Sequence, residues 1–372
     1  MPETHLVTGA TGLVGSSLVL ELLRSSDDRV VCIVRPHDDE KAAQERLQKV
    51  LLHVARIFNM PELRSEIPLR CRAIPGDLAL ERCGVNDRAQ VGPVSQFWHS
   101  AASLRYEETH KDEIFAQNVQ GTQHALELAR YVGAGTFNHI STAYVSGRQQ
   151  GRILEEIREI DSPVKNFYEK SKLHGEHMVA SSGIHYRILR PSVVIGHSKT
   201  CAVINPSGFY GIGRFVAQLR RKMAAADELH RIAETEVLGV EDVTLNLIPV
   251  DAVAFAAVRI SQSGHPGKVF HLTSSHSPTI GTVMRSIRDT LGIPGPRLVP
   301  SPAPEAPEYE FLTRKSDFYV RYFQIPQEFD RTNTDAVIGR DASRWDFGYE
   351  DLRRFVGWWL EEFPPPPPSA RR

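Results

Sequence analysis

The chain has 372 residues, room for roughly two to three domains or for one large α/β unit with a smaller lobe. Its 41% hydrophobic and 24% charged residues sit near the norm for folded proteins and exclude a disordered, collagenous or disulfide-scaffold chain. Lys plus Arg number 44 against 45 Asp plus Glu, a net charge of −1, which excludes a general nucleic-acid binder. The mean hydropathy is −0.28, and no apolar run approaches the roughly 18 residues of a membrane span. Cys32, Cys71, Cys83 and Cys201 form no C-x-x-C pair, which suits reduced thiols, and the N-terminus has no basic-then-apolar leader. A cytoplasmic location is expected.

In chain order, short apolar runs alternate with helical segments, the pattern of a parallel sheet covered by helices. Leu6-Val7 predicts a strand, and a helix follows over Ser16 to Leu23. Val30 to Val34 is a continuous apolar run, as a strand buried on both faces requires. Lys41 to Phe58 has helical spacing at Leu47, Val50, Leu51, Val54 and Phe58. Further strands are expected at Arg72 to Ile74, Gln96 to His99, Thr136 to Ile140 and Tyr186 to Leu189. Helices are expected at Glu113 to Tyr131 and Tyr168 to Ala180. Beyond about residue 196, Gly208, Gly211 and Gly213 suggest a loop before an Arg/Lys-rich helix, Arg214 to Ala226. Leu245 to Val250 reads as a strand, with Asp251 capping a helix through Ile260. Val269 to Leu272 reads as another strand, prolines over 294–307 as a loop or hinge, and Tyr349 to Phe363 as an amphipathic helix. Pro364 to Pro368 begin an extended tail, either a frayed end or a docking segment.

The clearest motif is Thr8-Gly9-Ala10-Thr11-Gly12-Leu13-Val14-Gly15, between the first strand and the first helix. Gly9 permits a tight turn, Gly12 lets backbone approach a pyrophosphate, and Gly15 lets the helix pack closely. The helix N-terminus there offers unpaired N–H groups to phosphates. Arg35 follows the second strand, where an acidic residue would hold the ribose hydroxyls of NAD; a guanidinium favours the 2′-phosphate, hence NADPH. The acidic run Asp38, Asp39 and Glu40 either caps the next helix or faces the cofactor. In Gly76-Asp77-Leu78, Asp77 is either an acceptor for the adenine amine or a turn aspartate.

Tyr168 and Lys172 are four residues apart, on one helix face, and the ammonium is expected to lower the phenol pKa. Ser141 and Thr142 close the fifth strand. Alternation puts them on opposite faces, so one of them is expected to bind a substrate carbonyl oxygen. Tyr144 lines the same pocket or fills core.

These residues resemble the extended short-chain dehydrogenase/reductase superfamily. The resemblance rests on the TGATGLVG turn, GDL at 76–78, HSAA at 99–102, Asn118 to Thr122, STAYVSG at 141–147, YEKSK at 168–172 and Leu189 to Ser192. It covers roughly residues 4–275. It implies an α/β Rossmann fold, a doubly wound parallel sheet with a smaller, mainly C-terminal substrate-binding lobe. It implies that Thr142 rather than Ser141 joins Tyr168 and Lys172 as the catalytic set. It also implies that Gly9, Thr11, Gly12, Leu13, Val14, Arg35, Asp77, Leu78, Ala101, Ala102, Asn118, Pro191 and Val194 bind or support the cofactor. Within the superfamily the chain looks most like the thioester-reductase and male-sterility (fatty acyl reductase) branch.

That likeness implies NADPH-dependent reduction of an acyl thioester, on coenzyme A or a separate acyl carrier protein, to aldehyde or alcohol. Tyr168 would be the proton donor. The alternatives are a ketoreductase or alcohol dehydrogenase, a nucleotide-sugar epimerase or dehydratase, and a cofactor-binding regulator without turnover. The expected division gives residues 1–200, with 240–275 returning, to the cofactor domain, 201–239 and 276–363 to the substrate lobe, and 364–372 to the tail. His174 and His177 share a helix face without an evident third ligand, so no metal is expected. Arg220-Arg221-Lys222 is a solvated helix face or a contact for a phosphopantetheine or an acidic carrier protein. Phe311, Phe318, Tyr319, Tyr322 and Phe323 either line an apolar pocket or build the lobe's core.

Overall fold

The computed structural model describes residues 2–35, 40–225, 227–301 and 320–364. Expectations at Asp38, Asp39, Phe311, Phe318, Tyr319 and the tail beyond Pro364 fall outside these residues, as does the Glu40 side chain.

The first half builds βα units. β1 (Thr4–Thr8) leads through the glycine turn into α1 (Leu13–Ser25). β2 (Arg29–Val34) buries every residue after Arg29, as its unbroken apolar run demands. α2 (Glu40–Ile57) and the unforeseen α3 (Leu63–Arg70) precede β3 (Cys71–Pro75) and β4 (Gln96–His99). The helix expected over Glu113 to Tyr131 is broken into α4 (Lys111–Phe115), a π turn (Ala116–Gln120) and α5 (Gly121–Val132). β5 (Thr136–Ile140) follows.

β6 (Gly151–Ile153), α6 (Phe167–Ala180), β7 (Tyr186–Pro191) and β8 (Val193–Ile195) come next. α7 (Phe209–Ala225) starts earlier than expected and takes in Gly211 and Gly213. Gly213 is there for space: a Cβ would stand 2.9 Å from Trp359 Cζ3. β9 (Glu236–Leu238), β10 (Leu247–Pro249) and α8 (Val250–Gln262) follow. Pro249, not Asp251, caps α8; the Asp251 carboxylate instead accepts the Ser198 N–H (2.8 Å) and hydroxyl (2.6 Å). The remaining elements are β11 (Lys268–Leu272), α9 (Ile280–Leu291), β12 (Arg297–Val299), β13 (Gln327–Phe329), α10 (Thr332–Ile338) and α11 (Tyr349–Glu362).

Seven strands form one parallel sheet in the order β11-β7-β5-β4-β1-β2-β3. The order reverses at β1, between β4 and β2, which opens a crevice at the strands' carboxyl ends. Adjacent residues divide between the sheet's two faces. Val7, Trp98 and Phe270 pack with α1, α2 and α8, while Leu6, Phe97 and Val269 pack with α5 and α6. A separate core joins α7, α9 and α11 through Phe215, Ile287 and Phe355. Three short parallel pairs sit outside the main sheet: β8 with β10, β9 with β12, and β6 with β13. The last brings the C-terminal region against the segment after β5, and α10 then packs on α8 and β11.

Candidate active site

At the switch point the chain turns through Gly9, whose φ of +77° favours glycine; a Cβ there would sit 2.6 Å from the Ala101 nitrogen. A Cβ on Gly15 would lie 2.1 Å from the Gly9 carbonyl oxygen, so α1 seats directly on the turn. Gly12 is the N-cap of α1, and no side chain caps it. The N–H groups of the first helical turn therefore face the crevice with no intrahelical acceptor. Gly12, Leu13 and Val14 line a cleft of about 520 Å³, with Thr11 in the same turn. This cradle fits the pyrophosphate of a dinucleotide.

Thr142, Tyr168 and Lys172 line the same cleft. Ser141 lines it too. β5 ends at Ile140, so strand alternation no longer governs these two residues, contrary to expectation. What separates them is hydrogen bonding. The Ser141 hydroxyl donates at 2.5 Å to Glu176, which is also ion-paired at 2.6 Å with the fully buried Arg190. Thr142 Oγ1 accepts the Tyr144 N–H (3.2 Å) and keeps its own proton to donate. α6 carries Tyr168 and Lys172 one turn apart. Lys172 is buried, and its Nζ donates to the Ile140 carbonyl at 2.7 Å. Burial lowers its pKa to about 8. The expected lowering of the Tyr168 phenol is not what the environment produces: burial first, then the Glu169 charge, push it up. A phenol so placed stays protonated at neutral pH.

Asn118 is buried in the π turn, and its side chain bridges two distant segments. Its Oδ1 accepts the Ser103 N–H (2.7 Å), and its Nδ2 donates to the Ser103 carbonyl (3.0 Å) and to Ser171 Oγ (2.9 Å). Ser171 in turn donates to the Tyr168 carbonyl at 2.7 Å. Asn118 thus braces α6 from behind. Ala102, Pro191 and Val194 line the cleft, and Ala101 abuts Gly9. Arg35 and Asp77, at the ends of β2 and β3, form an ion pair (3.2 Å), with the Arg35 side chain 63% exposed. The other Asp77 oxygen accepts the Ala79 N–H at 3.0 Å, the turn role considered for it. The Leu78 carbonyl accepts a hydrogen bond from His124 on α5 (2.7 Å).

Sequence reasoning missed much of the far wall. Phe209, Ile212 and Arg214 from α7, with Leu245, Tyr322 and Phe323, complete the cleft. Only Tyr322 and Phe323 carried a signal, as part of an aromatic-rich stretch whose role stayed open. Glu169, inside the YEKSK motif, is fully buried and hydrogen-bonded to Tyr322 (2.7 Å). No group of three or more His, Cys, Asp or Glu able to hold a metal occurs among the described residues. Nor is any described helix long and apolar enough to cross a membrane.

A doubly wound parallel sheet, a glycine cradle at its switch point and a Tyr-Lys pair beside it define an NAD(P)-dependent oxidoreductase of the extended short-chain dehydrogenase/reductase type. The sequence model of the family described as male sterility protein, an NAD-binding domain, matches residues 7–257, and the chain belongs to that family. It is 26% identical over 307 residues to isonitrile lipopeptide synthase of Mycobacterium tuberculosis, covering 75% of this chain and 12% of that protein. It is 27% identical over 199 residues to fatty acyl-CoA reductase 1 of Arabidopsis thaliana, covering 46% of this chain and 39% of that one. Among solved structures, the terminal R domain from the myxalamid PKS-NRPS biosynthetic pathway aligns with a TM-score of 0.74 and 21% identity, over 97% of this chain and 91% of that one. UDP-glucuronic acid 4-epimerase from Bacillus cereus, in complex with NAD, has the same fold, with a TM-score of 0.62 and 18% identity over 96% of this chain and 98% of its own. The chain thus spans well under half the length of the curated relatives named here and nearly all of these structures.

Proposed function

We propose that the protein reduces an acyl thioester, held on coenzyme A or on an acyl carrier protein, to an aldehyde, with NADPH as the reductant. The single observation that carries this reading is the continuity of the cleft. It runs from the glycine turn past Thr142, Tyr168 and Lys172 into a wall of Phe209, Ile212, Leu245 and Phe323. A wall that is mainly apolar, with Asn205, Ser207 and Arg214 among its polar lining residues, suits an acyl chain with a polar carrier better than a nucleotide sugar, whose many hydroxyls need more polar partners. Arg35, largely exposed at the end of β2, supports NADPH over NADH. The relatives whose names include fatty acyl-CoA reductase favour the same substrate class.

NADPH, when bound along the glycine cradle, supplies the hydride. The chain's residues do the rest. Thr142 and Tyr168 donate hydrogen bonds to the thioester oxygen as hydride addition to the carbonyl carbon places negative charge there. Tyr168, kept protonated by burial, gives its proton to that oxygen, and a thiohemiacetal results. The Tyr168 phenolate takes the hydroxyl proton back as the C=O bond re-forms and the C–S bond breaks, so the sulfur leaves as a thiolate that takes a proton from solvent, and the aldehyde remains. Lys172, fixed on the Ile140 carbonyl, would hold the nicotinamide ribose and offset charge on the phenolate. The wall draws on both units of the expected division: Phe209 and Ile212 from 201–239 and Phe323 from the C-terminal part of the substrate lobe, with Leu245 from the 240–275 stretch of the cofactor unit.

The test is a substrate panel. The purified chain is mixed with NADPH and acyl-CoA thioesters, ketones or nucleotide sugars, and loss of reduced-nicotinamide absorbance is followed. Thioester turnover is expected. Ketone turnover with silent thioesters overturns the reading, and conversion of a nucleotide sugar without net NADPH loss favours epimerisation.

A further inference from the structure

Tyr322 belongs to the C-terminal region that no motif explains, yet its ring enters the cleft that holds Tyr168. Its hydroxyl accepts a hydrogen bond from Asn166 Nδ2 (2.9 Å) and donates one to Glu169 Oε1 (2.7 Å). Those two partners flank Tyr168 in sequence and close the first turn of α6. Asn166 is the helix N-cap, and its Oδ1 accepts the Glu169 N–H at 2.9 Å. Glu169 Oε2 reaches back to the Lys165 N–H at 2.7 Å, a reciprocal arrangement close to a capping box. Tyr168 sits between the two ends of this clasp.

We propose that Tyr322 is a positioning residue: by binding Asn166 and Glu169 together it fixes the first turn of α6 and so the place of the Tyr168 hydroxyl in the cleft. The proposal rests on the reading of Tyr168 as proton donor. Glu169 is fully buried, and such a carboxylate holds one position only if its oxygens are bonded. Tyr322 is the side chain that bonds Oε1. The tyrosine is itself held from several sides. Its ring packs edge-to-face on Tyr144, with centroids 4.9 Å apart, and the Lys165 ammonium stands 4.7 Å from its centroid. A few residues on, β13 pairs with β6, and Gln327 Nε2 donates to the Gly147 (3.1 Å) and Gln149 (2.7 Å) carbonyls. The C-terminal segment is therefore tied to the loop that carries Thr142 and to the helix that carries Tyr168. A proton donor misplaced by an ångström loses much of its rate, while the cofactor cradle across the cleft is untouched.

The test uses the full chain, NADPH and the thioester turned over best in the panel above. Tyr322→Phe keeps the ring and removes the hydroxyl. The loss of one buried hydrogen bond and the resulting play in α6 should lower kcat about tenfold, with KM and NADPH affinity unchanged within about twofold. Asn166→Ser keeps an N-cap but removes the donor to Tyr322, and kcat should fall in the same direction. The Tyr168→Phe, Tyr322→Phe double variant should be no slower than Tyr168→Phe alone, because the positioning acts through Tyr168. Hydrogen exchange over residues 165–172 should speed up in Tyr322→Phe, a readout that needs no substrate. Unchanged kcat, a loss confined to KM, additive losses in the double variant, or unchanged exchange each overturn the proposal. Wild-type turnover in Tyr168→Phe sinks the proton-donor reading instead. An inactive Tyr168→Phe beside a fully active Tyr322→Phe sinks only the role of Tyr322.

Discussion

Lys172 carries its charge in a buried place, and two opposite pH dependences follow. In the folded chain its pKa is lowered to about 8, while unfolded it titrates near the ordinary lysine value of about 10.4. Between these values the unfolded state binds more protons, so this residue's burial penalty fades and stability rises with pH. Activity should move the other way: with the role proposed for Lys172, kcat/KM needs the ammonium and is expected to fall as pH rises through about 8. Lys165, also lowered to about 8, shares the stability trend, so the Lys172 part is the difference between wild type and Lys172→Met in urea unfolding across pH 7.5 to 10. A flat difference, or no alkaline limb in the rate profile, contradicts the assignment. Arg35 makes a second residue-scale prediction. Arg35→Ala should weaken NADPH binding about tenfold, the worth of one charge-assisted hydrogen bond, and leave NADH nearly unchanged. Equal losses in a binding titration would show that the guanidinium does not read the 2′-phosphate. Tyr168 and Lys172 were legible as candidates from their spacing and Arg35 from its place after the second strand, while the choice of Thr142 over Ser141 came only from the family resemblance. The raised Tyr168 phenol was not legible, because desolvation depends on neighbours brought from elsewhere in the fold.

At the scale of elements, the strands of the main sheet were the most legible, since each of its short β-like runs lies in an observed strand, although only Val30 to Val34 is apolar without a break. Helix ends and interruptions were less so. Gly211 and Gly213 look like loop residues, but α7 runs through both because Trp359 occupies the space a side chain would need at Gly213. The π turn at Asn118 answers to Ser103 and Ser171, residues from two other segments, and no local pattern encodes that. α1 gives the sharpest element-scale prediction. Gly15→Ala puts a methyl 2.1 Å from the Gly9 carbonyl oxygen, and backbone cannot yield there without lifting α1 from the turn. The variant should lose about 3 kcal/mol of stability by urea denaturation, the upper range for overpacking, and should lose dinucleotide binding with it. Gly12→Ala meets only a 3.4 Å contact with the same oxygen, so its fold should survive. Equal stability loss in the two variants would refute the packing argument.

The whole molecule is threaded more than its motifs suggest. Residues 276–363 read as one substrate lobe, yet α10 crosses back to pack on α8 and β11 before α11 joins the second core. That path was invisible in the sequence because it depends on Gln327–Phe329 pairing with Gly151–Ile153, strands of three residues without a pattern of their own. Leu13, in the first turn of α1, and Trp358, on α11, each touch both the core around α1 and the core around α7. Two cores that share side chains and are crossed by the same chain segment should not melt separately. Phe355 lies wholly within the second core, far from the glycine turn in sequence, and Phe355→Ala should cost about 3–5 kcal/mol. Calorimetry of this variant should show one transition, shifted down as a unit, and NADPH should raise that same transition although its proposed site is the cradle. Two peaks, only one of them displaced by Phe355→Ala and only the other raised by NADPH, would mean that the cofactor unit and the substrate wall fold independently. In that case the cleft between them could not be held to the precision that the proton delivery proposed for Tyr168 requires.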